Sequence, residues 1–308
     1  MNIQPLAPMR ISVVIPHLNQ PDQLRRCLAS LRAGRRPPDE VIVVDNGSVR
    51  LPETVCAEFE PVILLHQPLA GPGLARNLGI AQARGDVLAF IDSDCIADPD
   101  WLWVAERQMR DKTVQIIGGN VRIAYDDPNR LTALEAYESV FAYRMDRYIA
   151  REGFTGTGNL VMRSSVFEKV GVFRGLEVAE DREWGQRATG MGYVISYVPD
   201  LIVFHPARAS FAALRAKWDR QLAHDRGQCG GTWGNLKWGL KAAALILSPL
   251  AEVPRIASSE RIKGLRNRAL AFGVLGRIRL YRAMRMAQLL AGMDPDYLLQ
   301  RWNLSDAH

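Results

Sequence analysis

The stretch that most constrains the fold is VLAFIDSDCIAD at residues 87–98, where unbroken apolar residues run directly into two carboxylates, Asp92 and Asp94. An apolar run without alternation is typical of a parallel strand that is buried on both faces. Ligands of open α/β sheets bind outside the carboxyl ends of such strands, so we expect both aspartates at an edge that faces a crevice. Two carboxylates in that place favour Mg²⁺ or Mn²⁺, which bind through one or two carboxylates together with substrate phosphates.

A structural alternative exists for the same stretch. An acidic turn can cap the helix that is expected to begin at Pro99, with Asp98 as its N-cap. That interpretation accounts for Asp98 but leaves Asp92 and Asp94 unexplained.

Strands alternate with helices in the first hundred residues. Short apolar runs predict strands at 11–16, 40–45, 61–66 and 87–92, and the helical period predicts helices at 21–33 and at about 72–83. This alternation is typical of βαβ units, so the sequence predicts an α/β fold with a mostly parallel sheet flanked by helices.

The later elements are less regular. The pattern predicts a helix at 99–110, a strand at 113–123, a helix at 131–145, a strand at 159–162, a short helix capped by Ser164, a helix that ends at Gly190 or Gly192, and two short strands separated by Pro199. From about residue 210 onward the sequence predicts helices throughout. We therefore expect a main α/β domain over 1–228 and a helical, basic, amphipathic region over 229–308.

Composition narrows the class of protein. The chain has 308 residues, 48% of them hydrophobic, which is enough for a large core and argues against disorder. Its four cysteines are widely scattered, which excludes a disulfide framework or a CxxC metal site and favours a reducing compartment. The first apolar run is too short for the core of a secretory signal peptide. These features predict a cytoplasmic protein.

Basic residues are concentrated near the C-terminal end. Residues 255–285 contain nine arginines and lysines against Glu260 alone, a surplus of +8 in a chain whose net charge is +6. Such asymmetry indicates an anionic surface as partner, either lipid head groups or nucleic acid. The longest apolar run, at 242–251, has ten residues and contains Pro249, so it is shorter than the ~20 residues that span a bilayer.

Residues 268–293 mix apolar residues with arginines, which predicts an interfacial amphipathic helix. The alternative is a helical cap whose basic face is solvated. We expect the first of these, and with it a peripheral location on the inner face of the cell membrane.

Five motifs, in this order, resemble the family-2 glycosyltransferases, which are inverting enzymes of the GT-A fold. The motifs are SVVIPHLN, VIVVDNGS, GPGLARNLGIAQARGDVLAFIDSD, GTGNLVMRSSVFEKVGVF and AEDREWGQRATGMGY, and the resemblance covers roughly residues 10–228. It implies a GT-A-like catalytic domain over 1–228, a nucleoside-diphosphate sugar as donor substrate, and Mn²⁺ or Mg²⁺ as cofactor.

The resemblance also implies a donor site. The residues implied to contact the nucleoside are Pro16, His17, Asn19 and Asp45, and those implied to approach the nucleotide are Arg76 and Asn77. Asp92 is implied to contact the donor. The implied metal ligands are Asp94, Asp92 and His205. His17 departs from the small residue more usual at its position. Structural alternatives remain open: Asp45 can belong to a turn, Arg76 to a solvated helix face, and His205 to the packing of a strand end.

Glu180 and Asp181 form a second acidic pair. Inversion at an anomeric carbon requires a base that takes a proton from the acceptor hydroxyl while the nucleoside diphosphate leaves from the opposite face. The resemblance implies Asp181 as this base, Glu180 as a contact to the sugar or acceptor, and Trp184 as a wall of the acceptor pocket. The acidic pair can instead complement a helix dipole, and Trp184 can be a core residue.

These observations predict an inverting, metal-dependent glycosyltransferase that moves one sugar from a nucleoside diphosphate, with UDP as the expected nucleotide, to a glycan or lipid-linked acceptor in cell-surface polysaccharide assembly. The chain lacks the Gln-x-x-Arg-Trp string of processive synthases, which favours one transfer per encounter. The rival enzyme class is sugar nucleotidylyltransferase, for which the segment after the first strand lacks a Gly-rich basic loop. A membrane- or nucleic-acid-binding protein is the rival without activity. It leaves both carboxylate pairs unexplained, and no nucleic-acid partner is expected.

Overall fold

A computed structural model describes residues 9–176, 178–227, 231–295 and 297. The chain divides into two compact units. We call Met1–Ala124 with Tyr143–Pro206 the sheet unit, and Tyr125–Ala142 with Ala207–His308 the helical unit. The helical unit is therefore larger than the region expected at 229–308, because it begins again at Ala207 and includes an internal segment.

The sheet unit contains eight strands. They are β1 (Ile11–His17), β2 (Glu40–Asp45), β3 (Val62–His66), β4 (Val87–Ile91), β5 (Ile96–Ala97), β6 (Ile116–Ala124), β7 (Asn159–Arg163) and β8 (Ile195–Pro206). They form one sheet in the order β3-β2-β1-β4-β7-β6-β8-β5. The first four strands are parallel, whereas β7 runs antiparallel to β4 and β6, and β6 and β8 are again parallel.

Seven helices belong to the sheet unit and five to the helical unit as the structure describes them. The first set is α1 (Pro21–Ala33), α2 (Glu53–Ala57), α3 (Pro72–Gln82), α4 (Trp101–Met109), α6 (Met145–Glu152), α7 (Ser164–Val170) and α8 (Glu180–Gly190). The second set is α5 (Ala133–Phe141), α9 (Phe211–Gly227), α10 (Gly231–Ala251), α11 (Val253–Ala257) and α12 (Leu265–Leu290).

The βαβ pattern of the first half is confirmed. β4 is buried at every position, and β1 and β2 are buried at nearly every position, because helices cover both faces of the sheet. α1 turns Leu24, Cys27, Leu28 and Leu31 toward the core, in the helical period that its sequence shows. The carboxyl ends of the parallel strands therefore meet at one edge, as expected.

Three local expectations were wrong. The region around Pro199 does not break into two strands: β8 continues as one strand, and its register with β6 jumps from Gly119↔Val198 to Asn120↔Ile202. Asp98 is not the N-cap of α4, because Asp100 occupies that position and Asp98 accepts its backbone N–H. Ser164 is the first residue of α7 rather than its cap.

The helical unit has its own apolar core, and α12 is central to it. Ala271, Leu275 and Ile278 of α12 are buried together with residues of α5 and α9. The prediction of an interfacial amphipathic helix at 268–293 was therefore wrong for this face, because protein rather than lipid covers it. Within the described ranges, no helix combines the length and the apolar character that crossing a membrane requires.

Most arginines of α12 also have protein partners. Arg279 donates to Glu252 at 2.8 Å, Arg285 lies 3.4 Å from Asp219, and Arg282 lies 3.6 Å from the ring centre of Trp218. Burial lowers the pKa of Arg282 to about 10. A large part of the basic surplus therefore belongs to the packing of the helical unit.

Candidate functional site

Three polar residues stand side by side at the carboxyl ends of β1, β2 and β3. The strand register pairs His17 with Asp45 and Asp45 with His66. Nδ1 of His17 lies 2.9 Å from Asp45 Oδ1, and the backbone N–H of Gln20 donates to His17 Nε2 at 3.2 Å. Because an N–H requires an acceptor, Nε2 carries no proton and Nδ1 donates to Asp45. The two contacts thereby fix the orientation of the His17 ring.

The Asp45 carboxylate is completely buried. Its other oxygen accepts the backbone N–H groups of Gly47 and Ser48 at 3.2 and 3.0 Å. Burial alone would raise the pKa of Asp45, but the hydrogen bonds from Ser48 and His17 outweigh it, and the pKa is lowered. Asp45 is thus an anion that belongs to a turn at the sheet edge, and its contact with a nucleoside stays a prediction.

Asn19 fixes the neighbouring loop. Its φ of 53° is left-handed, its side-chain oxygen accepts the N–H of Val49 at 2.9 Å, and its own N–H donates to Ser48 Oγ. Pro16 is partly exposed on β1 beside this loop. The predicted nucleoside residues therefore lie together at one edge, with Asn19 tying the loop after β1 to the loop after β2.

The second half of the site begins where β4 ends. The chain turns after Ile91, with the N–H of Cys95 donating to Asp92 O at 3.0 Å, and Asp92 and Asp94 follow the strand directly. Oδ2 of Asp94 lies 3.4 Å from Nε2 of His205, which comes from the end of β8. Among the residues that the structure describes, one group of possible metal ligands has all of its ligand atoms within 4.8 Å of one another. This group consists of Asp94, Cys95 and His205.

His205 has the ring orientation of a metal ligand. Its Nδ1 lies 2.7 Å from the carbonyl oxygen of Pro206, which can only accept, so Nδ1 carries the proton. The opposite nitrogen then faces Asp94. A histidine whose second nitrogen donates to a backbone carbonyl is the usual arrangement behind a metal–histidine bond. Tyr143 packs on this ring at a tilt of 33°, with centroids 4.6 Å apart and its hydroxyl oxygen 3.1 Å from Nε2.

The electrostatics of Asp94 fit a cation. Burial raises the pKa of Asp94, nearby Asp92 raises it further, and His205 opposes the shift. Cys95 is buried, and burial raises the pKa of its thiol well above the ordinary value, which keeps it protonated. Asp94 and His205 therefore fit a hard divalent ion, with Cys95 as a packing neighbour. Asp92 lies outside this group and binds Arg76, and the ligand set of Asp94, Asp92 and His205 stays a prediction.

Arg76 joins the two acidic motifs. Its guanidinium, only 4% exposed, donates to Asp92 Oδ1 at 2.8 Å and to Glu180 Oε1 at 3.1 Å. Nε of Arg76 has no hydrogen-bond partner in the described structure. The motif after β4 and the motif that opens α8 therefore meet through one buried cation from α3, which excludes the solvated-face alternative for Arg76. We call Asp92, Asp94, Glu180, Asp181, Arg76 and His205 the carboxylate site.

A glycine-rich turn before β7 lines the carboxylate site. A Cβ atom at Gly158 would lie 2.5 Å from Asp92 Oδ2, and one at Gly156 would lie 3.9 Å from Asp181 Oδ2. The backbone can therefore approach Asp92 only because position 158 lacks a side chain, whereas the contact that a side chain at position 156 would crowd is with Met145 Cε, at 2.9 Å. The turn is held by Asn159, whose side chain accepts from the indole of Trp101 and donates to Leu201 O.

Asp181 lies in the first turn of α8. Burial and, after it, the charge of neighbouring Glu180 raise its pKa to about 6, against the opposing effects of the backbone N–H of Arg182 and the charge of Arg76. A carboxyl group with a pKa near the working pH is suited to accept a proton from a substrate hydroxyl. Helix-dipole compensation alone would lower this pKa, so it does not account for the environment of Asp181.

Two predicted site residues lie elsewhere. The side-chain amide of Asn77 donates to Phe173 O and accepts the N–H of Phe173, so it fastens α3 to a loop rather than facing the nucleotide edge. Trp184 is 1% exposed, donates its indole N–H to Gly171 O and packs against Phe173 at 5.2 Å. Its assignment to an acceptor pocket is corrected: it is a core residue of the sheet unit.

Sequence reasoning missed Tyr143 and the glycines at 156 and 158. Tyr143 has a left-handed φ of 48° without any local glycine signal, so nothing in its own motif pointed to His205. The spacing of Gly156 and Gly158 directly before an apolar strand was a usable signal, since such glycines often mark close backbone approach to a ligand or another group.

Comparison with known proteins gives a consistent result. The family model described as "Glycosyl transferase family 2" matches residues 12–171, more than half of the chain. The "Glycosyltransferase AglE" of Haloferax volcanii is 35% identical over 206 residues, which is 64% of this chain and 67% of the relative. The "Pre-mycofactocin glycosyltransferase" of Mycobacterium tuberculosis is 29% identical over 286 residues, which is 90% of this chain. The chain spans 58% of that relative's length.

Solved structures share the fold. A "Mannosyltransferase PcManGT from Pyrobaculum calidifontis in complex with GDP-Man and Mn2+" superposes with a TM-score of 0.56 at 19% identity, covering 98% of this chain and 89% of the other. S. aureus TarS 1–349 in complex with UDP-GlcNAc gives 0.53 at 18% identity, covering 88% and 90%. At this identity the likeness establishes the fold alone, and the predicted GT-A-like architecture with a helical C-terminal region is confirmed. Taken with the family match, the motifs and the sheet place this chain in glycosyltransferase family 2.

Proposed function

We propose that this protein is an inverting, metal-dependent glycosyltransferase that moves one sugar from a nucleoside diphosphate to an acceptor hydroxyl. The observation that carries the proposal is the pair of ion pairs that Arg76 makes with Asp92 and Glu180. These ion pairs bring the aspartates that follow β4 and the Glu180–Asp181 pair into one site. A protein that only binds a surface has no need to join two acidic motifs through one buried guanidinium, since such a cluster costs folding free energy.

The donor's diphosphate fits the acidic edge only together with a cation. Asp94, Asp92 and His205 would hold Mn²⁺ or Mg²⁺, which supplies charge that stabilises the departing diphosphate. The lack of a side chain at Gly158 lets the turn before β7 lie directly against Asp92. The nucleoside would lie along the edge formed by Pro16, the loop of Asn19, and the pair of His17 and Asp45.

Asp181 acts as the base. Its carboxylate takes the proton of the acceptor hydroxyl, the acceptor oxygen forms a bond to the anomeric carbon, and the bond from that carbon to the donor phosphate breaks with the electron pair leaving on the nucleoside diphosphate. Because the acceptor and the leaving group occupy opposite faces of the sugar, the configuration inverts. Glu180 is held by Arg76 beside this base, where it can accept a hydrogen bond from a hydroxyl of the sugar or acceptor.

UDP is the nucleotide that we propose for the donor, with a glycan or lipid-linked acceptor and a role in cell-surface polysaccharide assembly. One structural neighbour holds UDP-GlcNAc and another holds GDP-Man, so the fold accommodates both nucleotides. A lipid-linked acceptor agrees with a peripheral location on the inner face of the cell membrane, which we include in the proposal.

A donor-hydrolysis screen tests this function. UDP, GDP and dTDP sugars are incubated with the protein and Mn²⁺, and release of the nucleoside diphosphate is measured. We expect release of the nucleoside diphosphate from one nucleotide class, and we expect this release to be lost when a chelator is added or when Asp94 is replaced in Asp94→Ala. Calorimetry measures the metal-dependent affinity of Asp94→Ala for UDP separately. Asp98→Ala is the control, since Asp98 bonds a helix terminus outside the carboxylate site. Unchanged metal-dependent affinity in Asp94→Ala would refute the metal assignment.

A further inference from the structure

α10 exposes a continuous apolar face. Trp233 is 76% exposed and Leu247 71%, and the other large apolar residues of this face, Leu236, Leu240, Ile246 and Leu250, are each more than half exposed. Residues 233, 236, 240, 247 and 250 are spaced by three, four and seven positions, which places them on one side of a helix. Single exposed leucines are ordinary, whereas a contiguous stripe of this kind marks an interaction surface.

The opposite side of α10 is already packed. Trp238, Ala242 and Pro249 are buried, and the indole of Trp238 donates to Met286 O of α12 at 3.1 Å. α10 is therefore apolar on both sides over its second half, with one side covered by the helical unit. The apolar side chains on the exposed side of α10 therefore do not contribute to the core of the helical unit.

Charge identifies the occupant of this face. Residues 231–251 contain Lys237 and Lys241 and no acidic residue. Arg226 of α9 donates to Asn235 at 2.8 Å and adds a third cation beside the helix, while Asp225, 3.7 Å from Lys241, is the one carboxylate nearby among the described ion pairs of α10. Pairing two copies through this stripe would bring lysines together without matching carboxylates, which disfavours a dimer.

We propose that the exposed face of α10 docks on an anionic lipid surface, with Trp233, Leu240 and Leu247 entering the head-group region and Lys237 and Lys241 reaching the lipid phosphates. An apolar stripe bordered by lysines is the arrangement of an interfacial helix, and the long lysine stems let the ammonium groups stay at the surface. This deepens the membrane location in the proposed function and assigns the contact to α10 rather than α12.

Vesicle co-sedimentation tests the assignment without any donor or acceptor, so its failure is distinct from a failure of transfer. The full chain should bind vesicles of phosphatidylglycerol and phosphatidylcholine, more weakly at high salt, and bind pure phosphatidylcholine poorly. Leu240→Ser with Leu247→Ser should reduce partitioning at least about tenfold, which corresponds to about 1.4 kcal/mol. Lys237→Gln with Lys241→Gln should reduce it by about tenfold on anionic vesicles, since each nearby basic residue contributes to the attraction.

The matched control removes exposed apolar residues from the sheet unit. Met191→Ser with Val194→Ser, both more than half exposed, should leave partitioning unchanged. Equal loss in this control, no binding by the parent chain, or equal binding to neutral vesicles would overturn the proposal. A concentration-dependent dimer in ultracentrifugation that the Leu240→Ser and Leu247→Ser substitutions abolish would assign the face to a second copy instead.

Discussion

Arg76 and Asp181 together determine the chemistry of the carboxylate site. One buried guanidinium serves two carboxylates, Asp92 and Glu180, and Asp181 receives only a weaker, longer-range effect of its charge. Because Asp181 is half-buried and lies beside Glu180, its ionised form is the disfavoured one. The environment that suits Asp181 to the proposed role of base therefore costs folding free energy.

The substitution Asp181→Asn separates chemistry from binding. We expect transfer to fall by about 10²-fold or more, the usual size of a general-base contribution, while donor affinity measured by calorimetry stays within a few-fold. In the parent enzyme kcat/KM should rise with pH through about 6, as the carboxyl group loses its proton in the field of Glu180, Asp92 and Arg76. Transfer by Asp181→Asn within a few-fold of the parent would remove Asp181 from this role.

The same substitution should stabilise the fold. A pKa raised from 3.8 to about 6 means that the folded state binds the proton more tightly, so stability is lost as pH rises between these values. Asp181→Asn should therefore increase the free energy of unfolding by up to about 3 kcal/mol above pH 6 and leave it nearly unchanged below 3.8. Asp200→Asn, at an exposed position of β8, is the control for denaturant unfolding at both pH values.

The sequence was sufficient to place the acidic residues of the site and insufficient for its supporting contacts. Asp92 and Asp94 follow a strand end that the apolar pattern reveals, so the rule about the carboxyl edge places them, whereas His205, Glu180 and Asp181 were expected from the family resemblance. The bridge of Arg76 depends on the packing of α3 against the sheet, and the core position of Trp184 depends on Phe173, so neither can be read from local spacing.

At the scale of elements, the position of α8 depends on Gly185, which has no side chain and so permits a close contact with another segment. A Cβ atom at Gly185 would lie 2.5 Å from Phe154 Cβ and 2.8 Å from its Cα, closer than real contacts allow. Gly185 therefore lets α8 lie directly on the backbone at Phe154. This close contact fixes the position of the helix whose first turn carries Glu180 and Asp181.

Gly185→Ala tests that contact. Overpacking against backbone should lower the free energy of unfolding by about 1–3 kcal/mol and lower kcat, because the first turn of α8 shifts with the helix. Gly190→Ala lies in the same helix with nothing within 4 Å of the added atom. It should be neutral or stabilise by up to about 1 kcal/mol through helix propensity. Equal destabilisation of the two variants, measured by denaturant unfolding, would contradict this account.

Regular elements were predictable and irregular ones were not. α1 and β2 have the bounds that their apolar periods indicate. β5 is a two-residue strand with no period to detect, and α5 ends at Phe141 because Ala142 is extended and Tyr143 is left-handed, a break without glycine or proline. The sequence correctly predicted a helix in the region of α12, but the spacing of its apolar residues could not show whether protein or lipid covers them.

Over the whole molecule, the positive charge of the C-terminal region belongs partly to internal structure. Asp219 and Arg285 are both nearly buried, and Tyr281 hydrogen-bonds to each of them. Removing the cation leaves a buried carboxylate with a single hydroxyl donor. We therefore expect Arg285→Gln to lower the free energy of unfolding by about 3 kcal/mol.

Lys263→Gln is the matched control for that prediction. Lys263 is exposed, so loss of its charge should change stability by about 0.5 kcal/mol or less. Thermal or denaturant unfolding of both variants gives the comparison. If Arg285→Gln were as stable as Lys263→Gln, the arginine would be a surface charge and free to meet an external anion.

The chain passes between its two units three times, after Ala124, after Ala142 and after Pro206. The helical unit therefore cannot be separated from the sheet unit by cutting the chain at a single position. A gene cut after Pro206 would keep α5 but lose every later helix that buries Leu131, Ala136 and Val140. The segment at 125–142 and the helices after Pro206 thus share one apolar core, so a substitution in either one alters the packing of the other.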